Sequence, residues 1–383
     1  MDGIRSWIGL DVGKADHHAT VVDGAGTVLL ACGVRNDERA IEGLLDQAGP
    51  DAALVIDQPG SIGTLAVAVA RRRGIPVAYV PGLVMRRASE LYPGEGKTDR
   101  RGSFVIADTA RIHRARVHWL AVGDELLEEL RVLGGHDDDL AHDRTRTANR
   151  LRDLLLQAST AVERVLGPRL EHPAVRALLE RYPAPSAMRA AGRRRLQRVV
   201  SGLAPRMGAR LVDELLAALE AQTVTVPAEE TIGRVIRDLA RELSRLAAAR
   251  ERLAGEIEAV FRRHPQAPVL LSIPGIGART GARILTEIGH AARFPTAGHL
   301  AAYAGLAPVT KQSGSSINAQ HKSRRGNHRL KNALWLSAFC SLHHPPARDY
   351  YARKRSEGKK HNAAILCLAR RRCDLIHKML TTG

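Results

Sequence analysis

Acidic residues at the ends of apolar segments place the strongest constraint on how this chain folds. Asp11 follows an apolar run in IGLDVGK, Asp57 follows another in ALVIDQPG, and Asp99 closes the later motif KTD. A carboxylate at the end of a buried strand is costly unless a cation compensates for its desolvation. Acids from separate segments, brought together, form an oxygen-ligand site for Mg²⁺ or Mn²⁺. The three motifs therefore predict a divalent-metal site.

The charge of the chain indicates what such a site acts on. The 383 residues carry a formal net charge of +18 at neutral pH. A balance this basic favours nucleic acid as the partner, so we expect metal-dependent chemistry on a phosphodiester. The sequence has no apolar run of membrane-spanning length and no signal-peptide pattern, and we expect no membrane partner.

The cysteines favour a reduced, cytoplasmic protein without disulfides. Four are present, and none forms a CxxC pair. His361, Cys367, Cys373 and His377 could in principle form a zinc site. Their spacings do not suit a compact tetrahedral centre, so we predict that they are ordinary residues of a C-terminal helix.

The first 120 residues have the pattern of an α/β domain. Strands are predicted at 8–12, 19–22, 27–32, 53–57 and 77–80, and helices at 38–48, 62–73 and 103–113. One strand with an acid, a hairpin, and then alternating helices and strands is the order of ribonuclease-H-like nucleases. Asp11 and Asp57 would then lie on neighbouring strands. Two alternatives stay open: Asp57 as a plain strand end, and Asp99 as a helix cap.

Residues 121–265 are predicted to be helical. Apolar positions recur every seven residues over about four heptads, which predicts a coiled coil at about 229–263. The two series are Ile236, Leu243, Arg250, Ile257 and Leu239, Leu246, Leu253, Val260. Such a seam needs a partner, either a second copy or an earlier helix in an antiparallel hairpin, and we favour self-association. Residues 166–227 are predicted to be an inserted helical module without an assigned role.

Residues 266–383 are predicted to form a mainly α-helical domain that opens with a helix-hairpin-helix motif. The segment LLSIPGIG at 270–277 precedes an amphipathic helix that ends near Ile288. Gly275 and Gly277 would let backbone N–H groups approach a phosphate, so the hairpin would bind DNA without distinguishing its sequence. A plain helix connection is the alternative.

A serine in a basic loop follows this motif. Ser313 lies in KQSGSS, with Ser315 and Ser316 as rival nucleophiles. The neighbouring cations suit phosphate contacts or the charge of a transition state. The cations predicted to bind nucleic acid are Lys97, Lys311, Arg324, Arg325, Arg329 and Lys331.

Taken in order, these residues resemble one family, the DEDD-type transposases of insertion sequences, whose members are bridge-RNA-guided serine recombinases. The resemblance covers both ends of the chain. It rests on Asp11, Asp57, the KTD motif ending at Asp99, PGIG at 274–277, GLAP at 305–308 and QSG at 312–314. It implies a RuvC-like domain at 1–120, a helical linker with a coiled coil at 121–265, and a transposase domain at 266–383.

The resemblance also implies a mechanism. Ser313 would attack a DNA phosphodiester and form a covalent phosphoserine link. Asp11, Asp57 and Asp99, with Mg²⁺ or Mn²⁺, would activate or position that chemistry from another protomer. A structured bridge RNA would pair with donor and target DNA, and the protein would be a dimer or tetramer.

Two residues depart from the family pattern. Asp57 stands where the family usually has glutamate, and Gly102 stands where it usually has a fourth acid, three residues after Asp99. Asp108 is a poor substitute because it lies nearer the opposite helical face. The glycine at 102 could be a natural variation, an inactivating change or an engineered one, and the sequence leaves all three open. Two alternatives therefore stay open: a RuvC-like junction nuclease that uses water, and a catalytically impaired nucleic-acid-binding homologue.

Overall fold

The computed structural model describes most of the chain. The described residues are 3–58, 61–80, 82–92, 98–114, 117–120, 125–313, 317–322 and 325–382, without the side chains of 61, 83, 118, 292, 308–313 and 317–322. Contacts divide the chain into two compact units, Met1–Asp124 and Glu125–Gly383. In the described residues no helix is both long and apolar enough to cross a membrane.

The first unit is built on a six-stranded mixed sheet with the order β3-β2-β1-β4-β5-β6. The strands are β1 Ser6–Asp11, β2 Asp16–Asp23, β3 Val28–Arg35, β4 Ala52–Ile56, β5 Val77–Tyr79 and β6 His118–Trp119. β1, β4 and β5 are parallel, whereas β2, β3 and β6 run antiparallel to their neighbours. The five predicted strands are confirmed, and β6 is an addition.

Helices cover both faces of this sheet. They are α1 Glu38–Ala48, α2 Thr64–Arg72, α3 Gly82–Ser89 and α4 Asp99–Ile112. Alternation along β1 sends Ile8 and Leu10 into the core with α1 and α2, and Trp7 into the core with α4. A Cβ on Gly9 would overlap the Ser103 carbonyl oxygen, so glycine is what allows α4 to lie directly on β1.

The start of α4 differs from the prediction. The helix begins at Asp99, four residues before the predicted start, and Thr98 is its N-cap. The Thr98 hydroxyl accepts a hydrogen bond from the Arg101 N–H at 3.2 Å. The alternative that the KTD motif caps a helix is therefore confirmed, but the capping side chain is Thr98 and not Asp99. Asp99 is left exposed in the first helical turn.

The second unit is mostly helical. It contains α5 Glu125–Ala158, α6 Thr160–Leu166, α7 Pro173–Arg181, α8 Pro185–Ser201, α9 Gly208–Glu220, α10 Glu229–Arg263, α11 Ala267–Leu271, α12 Ala278–Ile288, α13 Ala297–Tyr303, α14 His328–Cys340, α15 Pro345–Ser356 and α16 His361–Thr382. Its described strands are β7 Pro308–Ser313 and β8 Ile317–Lys322, which form an antiparallel hairpin.

The heptad seam of α10 is covered within the chain. The two long helices α5 and α10 form an antiparallel pair in which Leu246, Leu253 and Ile257 are buried. Arg250, which interrupts the seam, donates two hydrogen bonds of 3.0 Å to the Asp137 carboxylate on α5. The expectation that this seam faces a second copy is wrong, and the hairpin alternative is confirmed. Periodicity identifies an apolar seam but not the helix that covers it.

Two cores fill this unit. Helices α6 to α9 pack with the last turns of α5 and the first turns of α10, so the inserted stretch folds onto the helix pair. The other core joins α11 to α16 with the opposite ends of α5 and α10. His361, Cys367, Cys373 and His377 lie on α16, as predicted. The bounds 1–120, 121–265 and 266–383 stay predictions.

Candidate active site

Two of the predicted acids lie side by side at one edge of the sheet. Leu10 of β1 pairs with Ile56 of β4 in parallel register, and Asp11 and Asp57 are the next residues on the two segments. Alternation from Gly9 and Val55 places both on the face that α4 covers. Both are half-buried. The prediction that these two aspartates are neighbours is confirmed.

The first turn of α4 reaches this edge through Gly102. A Cβ built on Gly102 would overlap Asp11 Oδ2 and lie 3.1 Å from Asp11 Cγ. Gly102, where the resemblance predicts a fourth acid, is therefore in direct contact with Asp11. Asp99 lies three residues earlier, on the same side of the helix.

A histidine and two hydroxyls complete the surroundings of Asp11. His18 is the partner of Asp11 across the β1–β2 ladder, and its Nδ1 lies 2.9 Å from Ser103 Oγ. Ser103 Oγ is also 2.7 Å from Thr20 Oγ1. Burial lowers the pKa of His18, with Asp99 opposing and Arg100 reinforcing the shift. Neutral imidazole is thus the favoured form near neutral pH.

Sequence reasoning missed His18 and Ser103. No motif contains them together, and only the cross-strand register and the packing of α4 bring them to the acid edge. The one available signal was that alternation along the second strand places His18 and Thr20 on one face.

Asp108 has a structural role. It is buried, accepts a hydrogen bond from the Tyr92 hydroxyl at 2.7 Å, and accepts another from Arg111 Nε at 2.8 Å. Burial and this carboxylate raise the pKa of Tyr92 to about 12. The expectation that Asp108 does not replace the missing fourth acid agrees with these contacts.

The edge of the sheet that carries Asp11 and Asp57 has the ligand chemistry that a hard cation prefers. Asp11 and Asp57 supply carboxylate oxygens, the ligands that Mg²⁺ and Mn²⁺ prefer. Among the described residues, no group of three or more His, Cys, Asp or Glu is placed to hold a metal ion. The adjacent pair thus forms the core of a possible site, and the assignment of Asp99 as a third ligand stays a prediction.

In the second unit, the predicted helix-hairpin-helix consists of α11, a turn and α12. Gly275 in this turn has φ +82°, and a Cβ there would lie 2.5 Å from the Ser337 carbonyl oxygen and 2.6 Å from the Ser341 nitrogen. Gly277 is the N-cap of α12, and a Cβ there would meet nothing within 4 Å. Gly275 is therefore required for packing against α14, whereas Gly277 has the open surroundings that a phosphate needs.

A buried arginine anchors this turn. Arg372 of α16 donates to the Pro274 carbonyl oxygen at 2.6 Å and to Ser337 Oγ at 2.8 Å. Burial lowers its pKa to about 10. The two bonds hold the hairpin turn, α14 and α16 together, a role that the sequence did not indicate.

The predicted nucleophile ends a strand. Ser313 is the last residue of β7 and pairs with Ile317 of β8. Ser315, Ser316, Lys97 and Arg324 lie outside the described residues, and the side chains of Ser313 and Lys311 are not described. The structure thus places the Ser313 backbone at the end of a strand, in the unit that does not contain the acids.

The remaining predicted cations differ in their surroundings. Arg325 is exposed, and Arg329, with a side chain 62% exposed, forms an ion pair of 3.2 Å with Asp138. Lys331 is half-buried and donates to the Gly305 carbonyl oxygen at 2.9 Å. Lys331 therefore joins α14 to the segment between α13 and β7.

Asn327 is a further residue that sequence reasoning missed. Its Oδ1 caps α14 by accepting from the Leu330 N–H at 3.0 Å, and its Nδ2 donates to Glu287 Oε2 at 2.7 Å and to the Tyr303 hydroxyl at 3.0 Å. These bonds fix the start of the basic helix against α12 and α13.

Both ends of the chain match known protein families. Residues 8–160 match a transposase family of the DEDD, IS110 type. Residues 267–352 match the transposase IS116/IS110/IS902 family.

Individual relatives extend this likeness to the whole chain. The chain is 48% identical to the 43.6 kDa protein of insertion element IS110 from Streptomyces coelicolor, over 100% of this chain and 95% of that protein. It is 37% identical to the 44.8 kDa protein of insertion element IS116 from Streptomyces clavuligerus, over 98% of this chain and 94% of that protein. A pilin gene-inverting protein of Moraxella bovis is 36% identical over 28% of this chain and 34% of its own length.

Proposed function

Since the chain belongs to the IS110/IS116/IS902 family of insertion-element transposases, we propose that it is a site-specific DNA recombinase that moves its own element by serine chemistry guided by RNA. The observation that carries the proposal is the pair of carboxylates, Asp11 and Asp57, at the ends of neighbouring parallel strands. The sheet order β3-β2-β1-β4-β5 supports a RuvC-like, ribonuclease-H-type fold for this unit. The likeness to a pilin gene-inverting protein supports recombination rather than simple cleavage.

Ser313 is the proposed nucleophile. Its Oγ attacks a DNA phosphorus, an Oγ–P bond forms, the bond from phosphorus to the leaving deoxyribose oxygen breaks, and that oxygen takes up a proton. The serine proton passes to a base. A hydroxyl of another strand then attacks the phosphoserine and releases Ser313 unchanged. The position of Ser313 at the end of β7, in a segment where Lys311 lies two residues earlier in the sequence, supports this role.

The acids are proposed to hold a divalent ion. Asp11 and Asp57 would bind Mg²⁺ or Mn²⁺ from the strand edge, and Asp99 would contribute from the first turn of α4. When bound, the ion would supply positive charge to a phosphate in reaction. Asp11 and Asp57 lie at the ends of neighbouring parallel strands, and the contact of His18 with Ser103 joins β2 to α4 beside Asp11.

The nucleic-acid partners are proposed from charge and family. Donor DNA, target DNA and a structured bridge RNA would contact the cations around α12 and α14, and the open N-terminus of α12 at Gly277 supports a phosphate contact there. A dimer or tetramer would allow the acids of one protomer to serve the serine of another.

Trapping a protein–DNA adduct tests the serine mechanism. Wild-type protein incubated with element-end DNA, bridge RNA and Mg²⁺ should yield an adduct that survives denaturation, whereas Ser313→Ala should yield none and still bind DNA. Ser315→Ala and Ser316→Ala serve as matched controls and should retain the adduct. Cleavage by Ser313→Ala at the wild-type rate without an adduct would support the RuvC-like junction nuclease instead.

The contact between Gly102 and Asp11 favours a second candidate. With no carboxylate at 102, the site holds less negative charge for a divalent ion. The chain would then be an impaired homologue that binds nucleic acid normally but cleaves slowly. Wild-type protein that binds DNA and RNA without forming any adduct would identify this case.

A further inference from the structure

A group of aromatic rings lies on the outer side of α14 and the start of α16. The rings of Trp335 and Phe339 are stacked, with centroids 5.4 Å apart and planes inclined by 5°. His361 meets Phe339 edge-on at 6.2 Å, and its Nδ1 lies 2.7 Å from the Tyr351 hydroxyl. We refer to Trp335, Phe339, Tyr351 and His361 as the aromatic group.

Part of the aromatic group stays in contact with water. Phe339 is 44% exposed although it is stacked on Trp335, and His361 is exposed as well. Trp335 packs on its other side against the core of this unit, which fixes the stack. A contiguous group of rings at the surface is typical of an interaction site, whereas exposed apolar side chains that are scattered singly are ordinary.

Positive charge surrounds these rings. Lys359 and Lys360 lie in the turn between α15 and α16, immediately before His361, and Arg355 is in the last turn of α15. The nearby Glu357 forms an ion pair with Lys354, with 2.7 Å between Lys354 Nζ and Glu357 Oε2. Within residues 325–382, neither Lys359 nor Lys360 forms an ion pair, so their charge is available to a partner.

We propose that the aromatic group and the Lys359–Lys360 turn bind a single-stranded nucleic-acid segment. A base would stack on Phe339, and the adjacent phosphates would meet Lys359 and Lys360. Duplex DNA keeps its base faces inside the helix, so it offers phosphates but no ring to stack, whereas a single strand offers both. The inference rests on the proposed function in that it names a contact surface for its nucleic-acid partners.

Fluorescence anisotropy with the full-length chain tests the stacking. The probes are a labelled 20-nucleotide mixed-sequence single strand and an abasic strand of equal length. Phe339→Ala should weaken binding of the base-bearing strand by roughly fivefold or more, the equivalent of ~1 kcal/mol at the low end for a stacked base, and leave the abasic strand unchanged. Phe339→Trp, which keeps an aromatic ring at this position, should bind the base-bearing strand as tightly as wild type.

Leu336→Ala is the matched control, because Leu336 lies on the same helix and is also 44% exposed. It should bind both strands like wild type. Thermal melting of each variant confirms the fold. Equal losses on both probes, or no loss with Phe339→Ala, would overturn the proposal. A change in oligomeric state without a change in binding would overturn it as well and assign the surface to a second copy of the chain.

The charge contribution has its own measurement. The double variant Lys359→Ala, Lys360→Ala should reduce the magnitude of the log–log salt slope for both strands by about 1.4, since each neutralised phosphate of a single strand contributes about 0.7. An unchanged slope would overturn the phosphate contact. Both experiments measure binding and not recombination. They therefore test this surface separately from the proposed recombinase activity.

Discussion

Gly102 on α4 lies against the carboxylate of Asp11 on β1, so closely that a Cβ on the glycine would overlap Asp11 Oδ2. The acid that the resemblance predicts at position 102 would thus compete for space with the Asp11 carboxylate. Two consequences follow for a substitution at 102: the Asp11 carboxylate has to rotate, and the new carboxylate adds charge at the metal-binding edge.

We expect Gly102→Asp to increase both the cleavage rate and the apparent Mg²⁺ affinity. The added carboxylate supplies another oxygen ligand to the edge formed by Asp11 and Asp57. The measurement is the rate of cleavage or recombination against Mg²⁺ concentration.

Gly102→Ala is the control for this change, because it introduces the same Cβ without the charge. Gly102→Ala should displace the Asp11 carboxylate, and its cleavage rate should be equal to or lower than that of wild type. Equal curves for Gly102→Asp and wild type would show that a fourth acid is unnecessary in this chain.

The two glycines of the α11–α12 turn should respond differently to alanine. Gly275→Ala combines an unfavourable positive φ with close approach to the backbone of α14, and should lower the free energy of unfolding by about 1–3 kcal/mol. Gly277→Ala meets open space and should cost about 1 kcal/mol or less. Denaturant titration measures both changes. A stable Gly275→Ala variant would contradict the packing assigned to this turn.

Duplex binding by Gly277→Ala is a separate expectation. If the first N–H groups of α12 approach a phosphate, a methyl group at the N-cap should weaken duplex binding while the fold is kept. Affinity equal to that of wild type would mean that the open N-terminus of α12 is not a phosphate contact.

Asp137→Asn should destabilise the second unit at neutral pH. Burial alone would raise the pKa of Asp137, but hydrogen bonds from Arg250 and Arg279 outweigh it and lower the pKa. Because the folded pKa is depressed, the stabilisation is present above the unfolded pKa of about 3.9 and is lost as pH falls through the folded pKa. We expect a cost of about 2 kcal/mol at pH 7.

The difference between Asp137→Asn and wild type should shrink as the pH falls below about 4, because the unfolded chain takes up a proton there and the folded carboxylate takes it up only at lower pH. Asp139→Asn is the matched control, because Asp139 is exposed on the same helix. Melting curves from pH 3 to 8 give the comparison. A constant difference across this range would show that the Asp137 charge is not the cause.

Binding to duplex DNA should weaken steeply with salt. Replacing Arg324 and Arg325 by alanine should lower the magnitude of the log–log slope by about 1.8, since each phosphate of B-DNA contributes about 0.9. The control is Arg245→Ala with Arg262→Ala, two exposed arginines of α10 that already pair with glutamates. A slope unchanged by the first pair would exclude that run from the DNA contact.

Local pattern was enough to predict much of the first unit. Alternation and turn residues predicted five of its six strands, and apolar runs that end in acids predicted the neighbouring positions of Asp11 and Asp57. The strands follow from local alternation of apolar and polar residues. The adjacency of the two aspartates follows from the parallel pairing of their strands, which the sequence of strands and helices along the chain indicates. The seven-residue repeat likewise predicted α10 as a long helix with an apolar seam.

Tertiary structure decided what covers each surface. The seam of α10 packs on α5 of the same chain, with Arg250 held by Asp137 more than a hundred residues away, and no repeat in the sequence specifies that partner. The contact of Gly102 with Asp11 and the bonds of Ser103 to His18 arise only because α4 lies across the first two strands. Sequence period determines which face of an element is apolar, but long-range packing alone determines which residues that face meets.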